Sequence, residues 1–112
     1  MSKFDDAVAK YVAEAKKLNL DVSTGLISTV AKGLGPVIYN ADSELVSTSD
    51  KAEMDRVRDS FLVKKLGLAA GPELDKAIKE VTDKMGSSNR SKYRVLFYAL
   101  LVKKFKKESV YA

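Results

Sequence analysis

The sequence predicts an all-α fold, a compact bundle of about five helices with an apolar C-terminal helix at its centre. Three observations lead to this prediction. Apolar residues recur at spacings of three and four, glycine or proline separates the periodic segments, and no polar–apolar alternation is long enough for a strand. The length of 112 residues is close to the commonest domain size, so we expect one helical domain over residues 1–112.

The first two helices are predicted in the N-terminal third of the chain. Over residues 3–18 an apolar stripe repeats at helical spacing, and two acids stand in the first turn, where they suit the helix dipole. Asn19 is a plausible end for this helix. Ser23 or Thr24 could cap a second, weaker helix, which Gly35-Pro36 must break.

The segment after this break is predicted to be short and irregular. Pro36 suits the first position of a short helical turn, within which Ile38 and Tyr39 are expected to pack in the core. Residues 40–49 are rich in serine and acids and predict an irregular loop. Two apolar side chains of that loop are expected to turn inward, Leu45 and Val46.

A third helix is predicted over about residues 51–66. Asp50 followed by Glu53 resembles a capping box, in which each side chain would accept from the other residue's backbone N–H group. Gly67 is expected to end the helix, with Leu68 placed for the apolar contact of a Schellman motif.

The last two helices follow in the same way. Gly71-Pro72 begins a helix of regular apolar period that Gly86 closes. The final helix is predicted over about residues 89–107, and its middle, residues 95–102, is apolar on every side. A helix of that kind is usually enclosed by its neighbours, so we expect it at the centre. Three residues offer caps at its start: Ser87, Ser88 and Asn89.

The net charge of +5 is concentrated at the C-terminal end. Residues 1–50 carry five lysines against seven acids, whereas residues 84–112 carry eight lysines or arginines against Glu108 alone. Lysines near the end of the final helix have a simple explanation, since cations stabilise a helix C-terminus. Cations near its start oppose the helix dipole, so these three could hold an anion or an acidic partner: Arg90, Lys92 and Arg94.

The composition disfavours an enzyme. The chain has no histidine and no cysteine, which removes the usual general base, the usual metal ligands and the usual thiol nucleophile. The remaining carboxylates are spread along helix faces beside lysines, as on solvated surfaces. We therefore predict no catalytic residues, no metal site and no cofactor.

A protein-interaction module is the function predicted in place of an enzyme. Its partner would be an unidentified protein or a second copy of the chain. The alternative is a nucleic-acid-binding protein that uses the basic C-terminal helix, although the apolar character of that helix argues against exposure in a DNA groove. No apolar run is long enough to span a membrane, and the acids near Met1 do not fit a signal peptide, so a soluble cytoplasmic protein is expected.

Several short strings, taken in their order, resemble a bacterial family, the domain of unknown function family 2853. The resemblance covers nearly the whole chain and implies a stand-alone bacterial cytoplasmic protein, without any assigned activity, substrate or cofactor. The Tyr39-Asn40 pair within these strings could alternatively line a cleft beside Arg90. The strings that carry the resemblance are Gly35–Asn40, Phe61–Leu68, Lys84–Arg90, Lys92–Arg94 and Lys107–Tyr111.

Overall fold

A computed structural model of the chain describes residues 2–86, 88–89 and 92–111, with Asp42 described by its backbone alone. These residues are mainly helical and contain no strand, which confirms the all-α prediction. The α-helices are α1 (Lys3–Lys17), α2 (Thr24–Leu34), α3 (Ala41–Glu44), α4 (Lys51–Arg56), α5 (Pro72–Met85) and α6 (Arg94–Lys104). The other helical segments are the 3-10 turn Gly35–Tyr39, the π-helix Val57–Lys65 and the 3-10 turn Glu108–Tyr111.

Helix α6 lies at the centre of the bundle, as predicted. Every side chain from Val95 to Val102 is buried, and α6 packs against α1, α2 and α5. Because the helix is apolar on all sides, only enclosure by neighbours on each side can remove its surface from water. None of the described helices is long and apolar enough to cross a membrane.

The ends of α1 and α2 follow the local signals in the sequence. Ser23 caps α2, with its side-chain oxygen accepting from the Leu26 N–H group at 3.1 Å. Asn19 adopts a positive φ of 58° beyond α1, and the Leu20 N–H group donates to the Ala15 carbonyl at 2.8 Å. This is a Schellman arrangement, which satisfies backbone carbonyls left free at the helix end. The predicted stop at Asn19 is confirmed.

The predicted third helix exists but changes its hydrogen-bonding pattern midway. Asp50 caps α4, as predicted, and α4 continues directly into the π-helix Val57–Lys65. Leu66 therefore donates to the carbonyl of Phe61, five residues back. The capping box is only half formed, because the carboxylate of Glu53 pairs with arginines instead of turning back to the Asp50 N–H group. The predicted end at Gly67 is confirmed by its φ of 71°.

The predicted start of the final helix is wrong by several residues. Residue 93 is extended, with φ −68° and ψ 131°, and α6 begins at Arg94. The reason is a long-range contact, since Tyr93 forms an antiparallel bridge with Leu45 and Val46 donates to the Lys92 carbonyl at 2.9 Å. Ser88 and Asn89 consequently do not cap α6, and the predicted cap at Ser87 lies outside the described residues.

The helix also ends earlier than predicted, at Lys104 rather than near residue 107. Lys106 takes a left-handed φ of 56°, and the Lys107 N–H group donates to the Val102 carbonyl at 2.9 Å. This closes the helix in the same Schellman geometry as at Asn19. The last two lysines of the basic segment therefore lie beyond the helix, and not in its final turn.

The prediction of an irregular loop over residues 40–49 is wrong in part. Residues 41–44 form the short helix α3, whose end is held because the Ser43 carbonyl accepts from the Arg94 side chain at 2.7 Å. Val46 is buried and Leu45 is half-buried, so the expectation that both turn inward is confirmed.

Candidate functional site

The three cations predicted to form a binding patch have different surroundings. Arg90 lies outside the described residues. The side chain of Lys92 is buried, with 3% of the residue exposed, and its Nζ donates to the Asn89 carbonyl at 2.5 Å. Burial lowers the pKa of Lys92, because the ammonium has lost water. The binding of an anion or acidic partner by these residues stays a prediction, but Lys92 does not present its charge at the surface.

Arg94 forms an internal clasp. Its guanidinium lies 2.7 Å from Glu53 Oε1, and the two side chains are 12% and 15% exposed. It also donates to the carbonyls of Ser43 and Leu45, at 2.7 and 3.4 Å, and to the Tyr98 hydroxyl at 3.1 Å. Burial opposes its charge, but Tyr98 and Glu53 outweigh this effect and hold the pKa of Arg94 above its ordinary value. Arg94 thus joins α6 to α3 and α4, and its donors are used within the fold.

The lysines at the end of α6 are likewise paired with acids. Lys103 Nζ lies 2.6 Å from the Asp21 carboxylate, and Lys104 bonds to Glu80. These exposed pairs lower the pKa of both carboxyl groups, chiefly through the hydrogen bond from each lysine. An open cleft of about 440 Å³ lies between the two pairs and Lys84. A ligand anion here would have to compete with carboxylates already in place.

Chemistry based on a metal finds no support in the described residues. Within them, no group of three or more carboxylate, imidazole or thiol side chains is arranged to hold an ion. The expectation that the chain is not an enzyme is not tested by this geometry.

The most distinctive surface of the described chain surrounds Tyr39. Sequence reasoning expected Ile38 and Tyr39 in the core; Ile38 is buried, but Tyr39 is 42% exposed. The 3-10 turn brings Ile38 inward, where its carbonyl lies 3.5 Å from the buried Tyr11 hydroxyl. The expectation for Tyr39 is therefore wrong, because one residue along a tight turn changes the direction of the side chain by about a third of a turn.

The backbone that presents Tyr39 is firmly held. Gly35 enters the turn at φ 67°, a left-handed conformation that favours glycine, and Pro36 follows at the first position. At the other end the Val37 carbonyl accepts from the Asn40 N–H group at 3.2 Å and from the Ser43 hydroxyl at 3.0 Å. The turn Gly35–Tyr39 is consequently tied to α3, and through Arg94 to the core.

An apolar groove of about 440 Å³ borders Tyr39. Its floor and walls come from the start of α1, the end of α2 and the turn between α2 and α3. Lys32 is the charged residue among those that line the groove. The lining residues are Phe4, Ala31, Lys32, Gly35, Pro36 and Tyr39.

A smaller charged cleft of about 290 Å³ also borders Tyr39. Within it Glu44 accepts from Lys10 Nζ at 2.5 Å and from the buried Tyr11 hydroxyl at 2.7 Å. Burial, and then the neighbouring Glu44 carboxylate, raises the pKa of Tyr11 far above its ordinary value. Asp6 and Lys3 also line this cleft, and Lys3 Nζ lies 5.2 Å from the centre of the Tyr39 ring.

The alternative prediction for Tyr39 and Asn40 is partly answered by this geometry. Tyr39 lines both clefts, whereas Asn40 is not among the lining residues of either, and Arg90 lies outside the described residues. The signal in the sequence was Gly35-Pro36, which fixes a turn but does not indicate whether the following aromatic ring points inward.

Comparison with known proteins gives a family but no activity. No curated protein sequence matches the chain. The profile of the family described as "Protein of unknown function (DUF2853)" matches residues 10–109. This match includes the Gly35–Tyr39 turn and all of α6, and it agrees with the resemblance inferred from the short strings. The chain therefore belongs to the DUF2853 family of proteins of unknown function.

Proposed function

We propose that this protein is a small non-enzymatic interaction module that binds a protein partner through the surface around Tyr39. The observation that carries the proposal is the exposed aromatic ring of Tyr39, which borders both an apolar groove and a charged cleft. The turn that carries this ring is held to α3 by hydrogen bonds. Aromatic residues, tyrosine among them, are enriched where protein interfaces concentrate their binding energy. A ring held in place before binding also loses little conformational entropy when a partner arrives.

The dimensions of the groove support this proposal. Its volume of about 440 Å³ is within the usual range for sites that enclose a small ligand or a side chain of a partner. Tyr39 has an apolar ring that can bury surface and a hydroxyl that can stay at the wet edge of an interface. Such a combination suits a transient protein contact better than it suits a closed catalytic pocket.

The nucleic-acid alternative finds no support in the described residues. The basic end of α6 engages Asp21 and Glu80, and Lys92 is buried. Helix α6 itself is enclosed, so it cannot enter a groove of DNA as a recognition helix would. A bacterial, cytoplasmic setting is part of the proposal: the family resemblance implies it, and the cysteine-free sequence fits a reducing compartment.

The test is selection of a random peptide library, displayed on phage, against the immobilised full-length chain. Peptides from this selection should lose roughly tenfold or more in affinity for Tyr39→Ala, since truncation of a central interface aromatic typically costs that much. Val110→Ala is the matched control, because Val110 is the other large hydrophobic side chain exposed in the described part of the chain, at 37%. Equal binding to wild type and Tyr39→Ala would contradict the proposal, provided circular dichroism shows the variant to be folded.

A further inference from the structure

We infer that the partner segment bound at Tyr39 is acidic, with an apolar side chain that enters the groove and carboxylates that meet Lys3 and Lys32. This inference rests on the proposed function and names the kind of partner that the same surface would select. It depends on three observations: the charge of the groove's lining, the ion pairs of the other lysines, and the position of Asp6.

The lining of the groove is apolar except at its edge. Phe4, Ala31 and Pro36 supply hydrocarbon, and no carboxylate is among the lining residues. Lys32 is exposed, and its charge lies on the groove side of Tyr39. A partner that buries an apolar side chain here therefore meets a positive edge. Charge complementarity favours a negative residue beside that apolar side chain.

Lys3 and Lys32 also differ from Lys10, Lys103 and Lys104, which line clefts and pair with acids there. Lys10 pairs with Glu44, and the lysines at the end of α6 pair with Asp21 and Glu80. Among the described residues, neither Lys3 nor Lys32 forms an ion pair. Lys3 instead lies over the Tyr39 ring, 5.2 Å from its centre. Its ammonium is thus placed beside the exposed aromatic ring, with donors free for a carboxylate brought by a partner.

Asp6 limits where that carboxylate can lie. It lines the charged cleft together with Lys3 and Lys10, and it does not line the groove. A carboxylate of the partner is therefore disfavoured next to Asp6 and favoured where Lys3 lies over the Tyr39 ring and at the Lys32 edge of the groove. The arrangement selects the charge of the partner segment and restricts the positions that its acids can take.

A second copy of the chain is a poorer occupant for the same reason. In a symmetric dimer built on this surface, identical patches face each other, so Lys3 and Lys32 of one copy would approach those of its partner. The net charge of +5 adds to this repulsion. An acidic segment from another protein has no such cost.

The experiment compares the charge of peptides selected by the library and then measures one of them as a synthetic, labelled ligand by fluorescence anisotropy. We expect selected sequences to be enriched in Asp and Glu next to a large apolar residue. The double variant Lys3→Gln/Lys32→Gln should weaken binding by about two- to fivefold for each lysine, the range of an exposed charge pair. Raising salt from about 0.05 to 0.2 M should weaken wild-type binding and have less effect on the double variant.

Two controls separate charge at this site from charge in general. The variant Lys16→Gln/Lys79→Gln removes the same net charge from exposed lysines of α1 and α5 and should bind as wild type does. A peptide with its acids replaced by amides should bind wild type and the Lys3→Gln/Lys32→Gln variant equally.

Three outcomes would overturn the inference. Peptides that need Tyr39 but show no excess of acids, with binding unchanged in the lysine variant, would refute it and leave the proposed function standing. Absence of any peptide that depends on Tyr39 would refute the proposed function itself. Concentration-dependent dimerisation in sedimentation, abolished by Tyr39→Ala, would identify a second copy as the occupant.

Discussion

Replacement of Arg94 by methionine should destabilise the protein strongly, and the size of the effect follows from its contacts. The substitution keeps an unbranched apolar side chain but removes the charge and every donor. It would leave Glu53 in a site where the carboxylate side chain is only 15% exposed. The carbonyls of Ser43 and Leu45 would lose the bonds they accept from the guanidinium.

The expected loss is about 2–4 kcal/mol in the free energy of unfolding. Breaking a buried ion pair by removal of one partner costs about 3–5 kcal/mol. Partial exposure of the pair, and the contact that Glu53 keeps with Arg56, lower that figure to about 1–2 kcal/mol. The lost hydrogen bonds to Ser43 and Leu45 add about 0.5–1 kcal/mol each. A domain of this size has a total free energy of unfolding of only about 5–15 kcal/mol, so this loss is a large fraction of it. At about 4 °C per kcal/mol, the variant should melt roughly 8–16 °C below wild type.

The assay is chemical denaturation followed by far-ultraviolet circular dichroism, with Arg56→Gln as the matched control. Arg56 contacts the same Glu53 carboxylate at 3.2 Å, but its side chain is 64% exposed, so its loss should cost no more than about 0.5 kcal/mol. A double-mutant cycle of Arg94→Met with Glu53→Gln should give a coupling above about 1 kcal/mol. If Arg94→Met is no more destabilising than Arg56→Gln, the clasp does not hold the fold together.

Two further predictions concern the buried Lys92 and the half-buried Tyr111. Lys92→Met should raise the free energy of unfolding by up to about 1 kcal/mol, since it replaces a buried ammonium whose Nζ bonds to a backbone carbonyl. The control is Lys79→Met, at an exposed lysine, which should leave the free energy of unfolding unchanged. If Lys92→Met lowers that free energy by more than about 1 kcal/mol, the prediction is contradicted. Alkaline pH should destabilise the protein, because burial raises the pKa of Tyr111 to about 12. A raised pKa favours the protonated phenol in the fold, so this stability is complete below about pH 10 and is lost as pH rises through about 12. Spectrophotometric titration should show a tyrosine fraction that ionises well above pH 10, and this fraction should be smaller in Tyr111→Phe. Absence of such a fraction in the folded protein would refute the assignment.

The sequence indicated most of the helices because their signals are local. The apolar stripe of α1, the cap at Ser23 and the turn at Gly67 depend on residues within one or two helical turns of each other. The enclosure of residues 95–102 was also predictable, since a segment that is apolar on all sides has no face to offer to water.

The contacts that define the candidate site depend on residues distant in the chain. Helix α6 starts late because Tyr93 bridges to Leu45 and the Lys92 carbonyl accepts from Val46. No local sequence pattern predicts this contact. The charge of Arg94 is visible in the sequence, but its pairing with Glu53 is not. The same limit explains why Arg94 was predicted as part of a ligand site and lies in an internal clasp.

The sequence by itself determined that this is a helical protein with an apolar helix at its centre and a positive charge excess near its C-terminus. Tertiary structure alone decided which cations remain at the surface and that Tyr39 is exposed. The physical reason is that helix periodicity and capping are short-range effects, whereas burial and ion pairing depend on where separate helices meet. The charge excess that the sequence placed over residues 84–112 is partly neutralised by acids from elsewhere in the fold, and the exposed Lys3 and Lys32 beside Tyr39 form no ion pair among the described residues.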